Sequence, residues 1–257
     1  MQGARIVRVH LRRPDLRRPF PPRFAARLTG QTVTAVDRRG KYLLARLSAG
    51  EALLVHLGMS GSFQIAPRRR TRTAPAPDPH DHVVFELSSG VAVTFNDPRR
   101  FGLMDLVRAA RIDEHRAFRS MGPEPLNVEF DAAVLARACA GKRAALKVVL
   151  LDQRLVAGLG NIYASEALHH AGLSPRRRAS TIATPSGAPR DAAVRLAAGI
   201  KAVLRKAVNR SQRREQSDRF VVYEREGERC SRPGCSGTIR RITQAGRSTY
   251  SCPTCQR

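Results

Sequence analysis

The 257 residues carry 46 Lys+Arg against 21 Asp+Glu, a formal net charge of +25 at pH 7, and a chain so short of acid is expected to meet a polyanion, with nucleic acid the default partner. Codon bias accounts for the scarcity of lysine (Lys41, Lys142, Lys147, Lys201 and Lys206) but not for the missing carboxylates. The length suits one large domain or two ordinary ones with a small appendage; no apolar run is long enough for a bilayer and no signal peptide is visible, so the expected compartment is the cytosol.

In chain order, alternation predicts a strand over Ala4 to His10, followed by the proline-broken basic connection RRPDLRRPFPPRF. Strand patterns recur over Thr32 to Val36, Tyr42 to Leu47, Ala52 to Leu57, Ser62 to Ile65, His82 to Leu87 and Val91 to Phe95, for which an antiparallel β-sandwich is the economical arrangement. Pro67 to Pro79, basic and proline-rich, reads as a loop. From about Asp131 the period turns helical, through DAAVLARACA, RAALKVVLLD and DAAVRLAAGIKAVLRKAV, with a polar linker at Arg176 to Arg190. The fold class expected is α+β, with domains at residues 1–113 (sandwich), 114–216 (helical) and 217–257 (zinc finger).

Within the helical half, Gly158 and Gly160 permit a tight turn, and Asn161 follows where a helix takes its N-cap. Free N–H groups at such a start form an anion site; the plainer reading is a helical connection that Asn161 merely caps. Four cysteines close the chain as Cys230-x4-Cys235 and Cys252-x2-Cys255, the spacing of one structural Zn²⁺ held by two thiolate knuckles in a reducing compartment, with a redox pair or disulfides as the alternatives. TIRRITQAGRSTYS between the knuckles alternates like a β-hairpin turning near Gly246, too short to have a core without the metal. Cys139 reads as a small core residue.

Two clusters on the β half have competing readings. Met59, between Gly58 and Gly61, is either core or an apolar wedge; Phe101, after Arg99 and Arg100, either plugs a sandwich end or fills the gap left by an extruded nucleotide. Of His80 and His82, one suits a phosphate contact and the other a structural role.

KYLL at Lys41, HLGMSGSF, HDHVVF, NDPRRFG, GPEPL, LVAGLGNIYASEAL and the terminal cysteine hairpin stand in the order and near the spacing found in formamidopyrimidine-DNA glycosylases, which the chain resembles from about Ala4 to Arg257. The resemblance implies a β-sandwich joined to a helix-two-turn-helix domain with a zinc-finger β-hairpin. It implies a monomer acting on double-stranded DNA with oxidised bases or abasic sites, excising 8-oxoguanine and formamidopyrimidines and cutting the strand by β,δ-elimination. On that resemblance Lys41 would contact phosphate and donate the proton of β-elimination, and Arg247 would hold the phosphate beside the lesion and assist δ-elimination. Met59, Arg99 and Phe101 would fill the void, and His80, Arg143 and Asn161 would bind the DNA backbone.

Two departures matter. Family members open with Pro-Glu, whose secondary amine attacks C1′, whereas this chain opens Met1-Gln2-Gly3-Ala4 and has its first acidic residue at Asp15. The expectation is a bifunctional glycosylase/lyase whose sequence starts at a downstream Met, with Met1 lying far from the lesion pocket. Alternatives are a non-catalytic binder of damaged DNA, an unrelated zinc-ribbon protein, and a residual lyase acting through Lys41. NRSQRREQSDRF, between Lys206 and Tyr223, is also shorter and more charged than the family's loop over the flipped purine, which bears on lesion preference.

Overall fold

A computed structural model describes residues 1–67, 78–213 and 220–257, so most of the loop expected over Pro67 to Pro79 and part of the charged run after Arg210 lie outside the described residues. The chain divides into two compact units, Met1–Arg119 and Ser120–Arg257.

The first unit is a sandwich of two four-stranded antiparallel sheets. One runs β1-β6-β7-β5, from β1 (Ile6–Leu11), β5 (Ser62–Pro67), β6 (Asp81–Leu87) and β7 (Val91–Asn96). The other runs β2-β3-β4-β8, from β2 (Val33–Arg39), β3 (Tyr42–Leu47), β4 (Glu51–His56) and β8 (Leu103–Arg108). Period-2 patterning explains the core: Val83, Phe85 and Leu87 of β6, Val93 and Phe95 of β7, and Met104 and Leu106 of β8 are buried together. Sequence reading did not anticipate β8, nor α1 (Phe24–Leu28), which follows the proline-broken connection. In α1, Phe24 and Leu28 drop into the sandwich core and Phe20 stacks on Phe24 with centroids 4.9 Å apart.

The second unit holds α2 (Ala132–Cys139), α3 (Leu146–Leu150), α4 (Asn161–Ala171) and α5 (Asp191–Arg213), and the zinc segment shares it with them. Asp131 caps α2 by accepting from the Val134 N–H at 2.8 Å. Cys139 is buried in this core, where desolvation pushes its thiol up to about 11, as suits a packing residue. Helix α4 is central: its residues 164–169 and Ala171 are buried. It ends at Gly172 in the left-handed region (φ 69), where the Gly172 and Leu173 N–H groups bond back to His169 O and Leu168 O.

The zinc segment ends in a hairpin of β9 (Arg240–Gln244) and β10 (Arg247–Ser251), whose turn residues Ala245 and Gly246 both have positive φ (47 and 71), as a two-residue hairpin matched to strand twist requires. Its start is tied to α4 by one buried carboxylate. Glu166 Oε2 accepts from the Val221 N–H at 2.9 Å, and Oε1 from those of Val222 and Tyr223 at 2.9 and 3.0 Å. Replacing Glu166 with Ala leaves three backbone donors without an acceptor and should cost on the order of 3 kcal/mol. Hydrogen exchange at the Val221, Val222 and Tyr223 amides should accelerate in that variant; unchanged protection would show that the carboxylate holds nothing.

Candidate nucleic-acid interface

On the sandwich, sheet register places the candidate residues at one end. Tyr42, which follows Lys41, pairs with His56, and His56 pairs with Leu103, so the β2–β3 turn, the exit of β4 and the entry of β8 lie side by side. Lys41 occupies that turn and is exposed; the exit of β4 leads to Met59, and Phe101 precedes β8. Burial, with Lys41 and Arg17 nearby, holds the His56 pKa below its usual value, so the ring is neutral at physiological pH and can accept from the Gly58 N–H at 3.0 Å through Nδ1.

Met59 is 72% exposed and Phe101 41%, so neither is core nor a plug. The Arg99 guanidinium lies over the Phe101 ring, 4.8 Å from its centroid. Gly58, at φ +67, packs so tightly that a Cβ there would stand 2.5 Å from the Phe101 carbonyl carbon.

The anchor of this end is Asp97, the aspartate of the NDPRRFG motif. It is fully buried. Its Oδ1 accepts from Ser60 Oγ at 2.6 Å and its Oδ2 from the Gly102 N–H at 2.7 Å. Its own N–H donates to His80 O at 3.0 Å, and its carbonyl accepts from His82 Nε2 at 2.9 Å. One residue therefore braces the loops carrying Met59, His80 and Phe101. His82 is the buried, structural histidine and His80 the exposed one.

In the second unit, Asn161 is not the N-cap of α4. Gly160, in extended conformation (φ −112, ψ 176), takes that position without a side-chain cap, and Asn161 is the first helical residue. From there its side chain reaches the zinc hairpin: Nδ2 donates to Ser248 O at 2.9 Å and to Tyr223 Oη at 3.3 Å. Its Oδ1 accepts from Lys147 Nζ at 2.7 Å.

Lys147 is the polar residue that sequence reading missed. It is 1% exposed, and its ammonium donates to Asn161 Oδ1, to Ser248 O at 3.0 Å and to Thr249 Oγ1 at 2.7 Å, so three donors meet three acceptors. Burial first, and Arg247 second, push its pKa down to about 8. Arg247 itself is exposed at the start of β10, just past the hairpin turn, and Arg143 is exposed ahead of α3. A lone lysine inside the apolar run AALKVVLL was the only sequence signal for this network.

The four terminal cysteines converge. Sγ of Cys230 and Cys255 are 3.7 Å apart, as are those of Cys235 and Cys252, and all four sulfurs lie within 4.8 Å of one another. A disulfide would bring sulfurs to about 2.05 Å. Corners of a tetrahedron around zinc at about 2.3 Å stand about 3.8 Å apart, so the donor set fits one structural Zn²⁺.

A basic two-unit protein with a braced apolar tip on a β-sandwich and a zinc hairpin fastened to a helix belongs, by class, with proteins that handle nucleic acid. Residues 1–104 match the formamidopyrimidine-DNA glycosylase N-terminal domain, 121–218 the formamidopyrimidine-DNA glycosylase H2TH domain, and 227–257 the zinc finger found in FPG and IleRS. The formamidopyrimidine-DNA glycosylase of Rhodopseudomonas palustris (strain HaA2) is 54% identical over 281 residues, and that of Bradyrhizobium diazoefficiens 51% over 276, each alignment covering 100% of this chain and 94% of the relative. Among solved structures, the Lactococcus lactis glycosylase bound non-covalently to AP-site DNA has a TM-score of 0.84, and a MutM complex with carbocyclic 8-oxo-G DNA 0.85; both are 30% identical, with coverage of 100% of this chain and 94% of theirs. The chain belongs to the formamidopyrimidine-DNA glycosylase family.

Two outcomes follow from the site geometry. Asp97→Ala should release the loops of Met59 and Phe101, which the carboxylate holds, while the main-chain bond from residue 97 to His80 O is kept; exchange at the Gly102 amide should accelerate and DNA binding weaken about tenfold or more, the scale of losing a hydrogen bond to a charged group, and binding at wild-type strength would show the brace to be dispensable. For Lys147, a native pKa near 8 against the ordinary 10.5 means that between those pH values the unfolded chain holds a proton the native state has released, so this group's contribution to stability rises with pH across that window. Lys147→Met should be less stable at pH 7, by about 1–3 kcal/mol, because three acceptors lose their donor. The wild-type advantage should widen from pH 8 to 10, and urea titrations at the two pH values would expose a flat difference.

Proposed function

We propose that the protein acts in base-excision repair as a monomer on double-stranded DNA containing oxidised purines or an abasic site, in the reducing cytoplasm that keeps its four zinc thiols free for metal. What supports the reading most directly is the pairing of exposed Met59 with exposed Phe101, held rigid through Asp97 and backed by the Arg99 guanidinium. Apolar groups displayed to solvent on a rigid mount beside an arginine suit insertion into a base stack, where they occupy the space of an extruded nucleotide. Relatives solved with AP-site DNA, abasic-site DNA and 8-oxo-G-containing DNA agree in substrate class.

Phosphate contacts supply most of the affinity. Lys41 and His80 on the sandwich end, and Arg143, Asn161 and Arg247 in the second unit, are assigned to the DNA backbone. Arg247 stands beside the Asn161–Lys147 network, which holds the backbone of β10 from which its exposed side chain projects, and it is assigned to the phosphate next to the lesion. Proton transfer in β-elimination is assigned to Lys41 and assistance to δ-elimination to Arg247. Asn161 has its oxygen on Lys147 and its amide hydrogens on Ser248 O and Tyr223 Oη, so a direct phosphate contact would take the hydrogen now given to Tyr223 at 3.3 Å.

The test is binding and trapping on matched duplexes, intact and abasic. Wild-type protein should prefer the abasic duplex, Met59→Ala and Phe101→Ala should lose that preference, and log affinity should fall by about 0.9 per phosphate contact for each tenfold rise in salt. Borohydride treatment should leave a covalent species if an amine of this chain attacks the sugar, whereas preference without trapping would identify a non-catalytic binder of damaged DNA. Equal affinity for the two duplexes would overturn the reading.

A further inference from the structure

The zinc thiolates have a neighbour that neither the cysteine spacing nor the family match assigns. His169 lies at the C-terminal end of α4, 5% exposed, with Nε2 3.3 Å from Cys230 Sγ and 3.9 Å from Cys255 Sγ. A cysteine bound to zinc is a thiolate and can only accept a hydrogen bond, so the ring nitrogen facing it must carry the hydrogen. The same helix end is fastened to the metal knuckles by other groups. Arg232, between Cys230 and Cys235, donates to His169 O and His170 O; Arg257 N–H donates to Gly172 O at 3.1 Å, and Gln256 Nε2 to Leu173 O at 2.9 Å. These bonds involve backbone carbonyls and hold the knuckle in place. The contact from His169 touches sulfur itself.

We propose that His169 is an outer-sphere partner of the zinc, donating its Nε2–H to the Cys230 thiolate and thereby lowering the reactivity of that sulfur toward electrophiles and oxidants. Zinc ringed by four thiolates carries a net charge of two minus, and each thiolate lone pair left free is a nucleophile. A directed N–H draws electron density from one of them without displacing it from the metal, as outer-shell donors do at other zinc sites. Such protection has a physical use here. Oxidation of a knuckle cysteine would release the metal, and with it the hairpin that carries Arg247. The assignment depends on zinc at the four cysteines and not on which lesion is processed, so its test is independent of DNA binding.

His169→Phe keeps a buried aromatic ring and removes the donor, while His169→Gln restores an N–H at nearly the same reach. In the zinc-loaded full chain, metal release by hydrogen peroxide, followed with a chromophoric zinc chelator, should run about tenfold faster in His169→Phe, the scale of one hydrogen bond to a charged group. His169→Gln should return it toward the wild-type rate. In the cobalt-substituted protein, the thiolate-to-metal charge-transfer band should move to lower energy in His169→Phe and back in His169→Gln, a signature that a packing role for the ring would not give. Unchanged release and an unmoved band in folded His169→Phe would overturn the assignment. Should that variant not fold, ring ¹⁵N spectra of the wild-type protein decide: a hydrogen on Nε2, protected from exchange, supports the bond, and a hydrogen on Nδ1 alone removes it.

Discussion

Helix α4 is the constraint on which the second unit depends. Its first residue, Asn161, holds the backbone of β10; its middle, Glu166, gathers three amides at the start of the zinc segment; its end, His169 and Gly172, meets the knuckles. Four cysteines around a metal can close a small loop by themselves, but they cannot orient it. Orientation comes from polar side chains spaced along one buried helix, each satisfied by the segment it holds. Because those groups are buried, loss of any one leaves its partners stranded away from water, and the cost falls on the position of the hairpin before it falls on the fold.

Lys147 shows how expensive that arrangement is. An ammonium buried beside an arginine is desolvated and repelled, and the depressed pKa records both. It persists because three acceptors from two separate parts of the chain converge on it. The sandwich solves a similar problem with a carboxylate: Asp97 is buried, its two oxygens accept from Ser60 Oγ and the Gly102 N–H, and its main-chain carbonyl accepts from His82 of β6. In each unit the exposed residues assigned to DNA are displayed on a mount whose centre is a buried, fully partnered ion.

The architecture was legible because it rests on periodicity. Alternation in segments such as Tyr42–Leu47 and Val91–Asn96 marks strands, a 3.6-residue period marks α2 and α5, and cysteine spacing marks the metal site. The misses have physical causes. β8 is six residues long and follows directly on the NDPRRFG turn, and α1 is five residues long after a run of prolines, too short in each case for a period to emerge. Asn161 has the residue type of an N-cap, yet Gly160 supplies the extended backbone and leaves the asparagine free to reach sideways. Lys147 stands out only as a charge in an apolar run because two of its three partners lie 101 and 102 residues away, and Asp97 does not stand out, because a turn aspartate looks solvated until the loops around it are in place. Networks of buried polar groups are long-range by nature, and local pattern does not encode them.

The close approach of Gly58 to the backbone of Phe101 has a mechanical meaning. With no room for even a methyl group between them, the two loops share one surface, and neither can advance without pushing or dragging the other. The methionine that follows Gly58 is therefore not set on an independent loop. It shares its root with the phenylalanine, so a displacement of either loop is passed to the base of both exposed side chains.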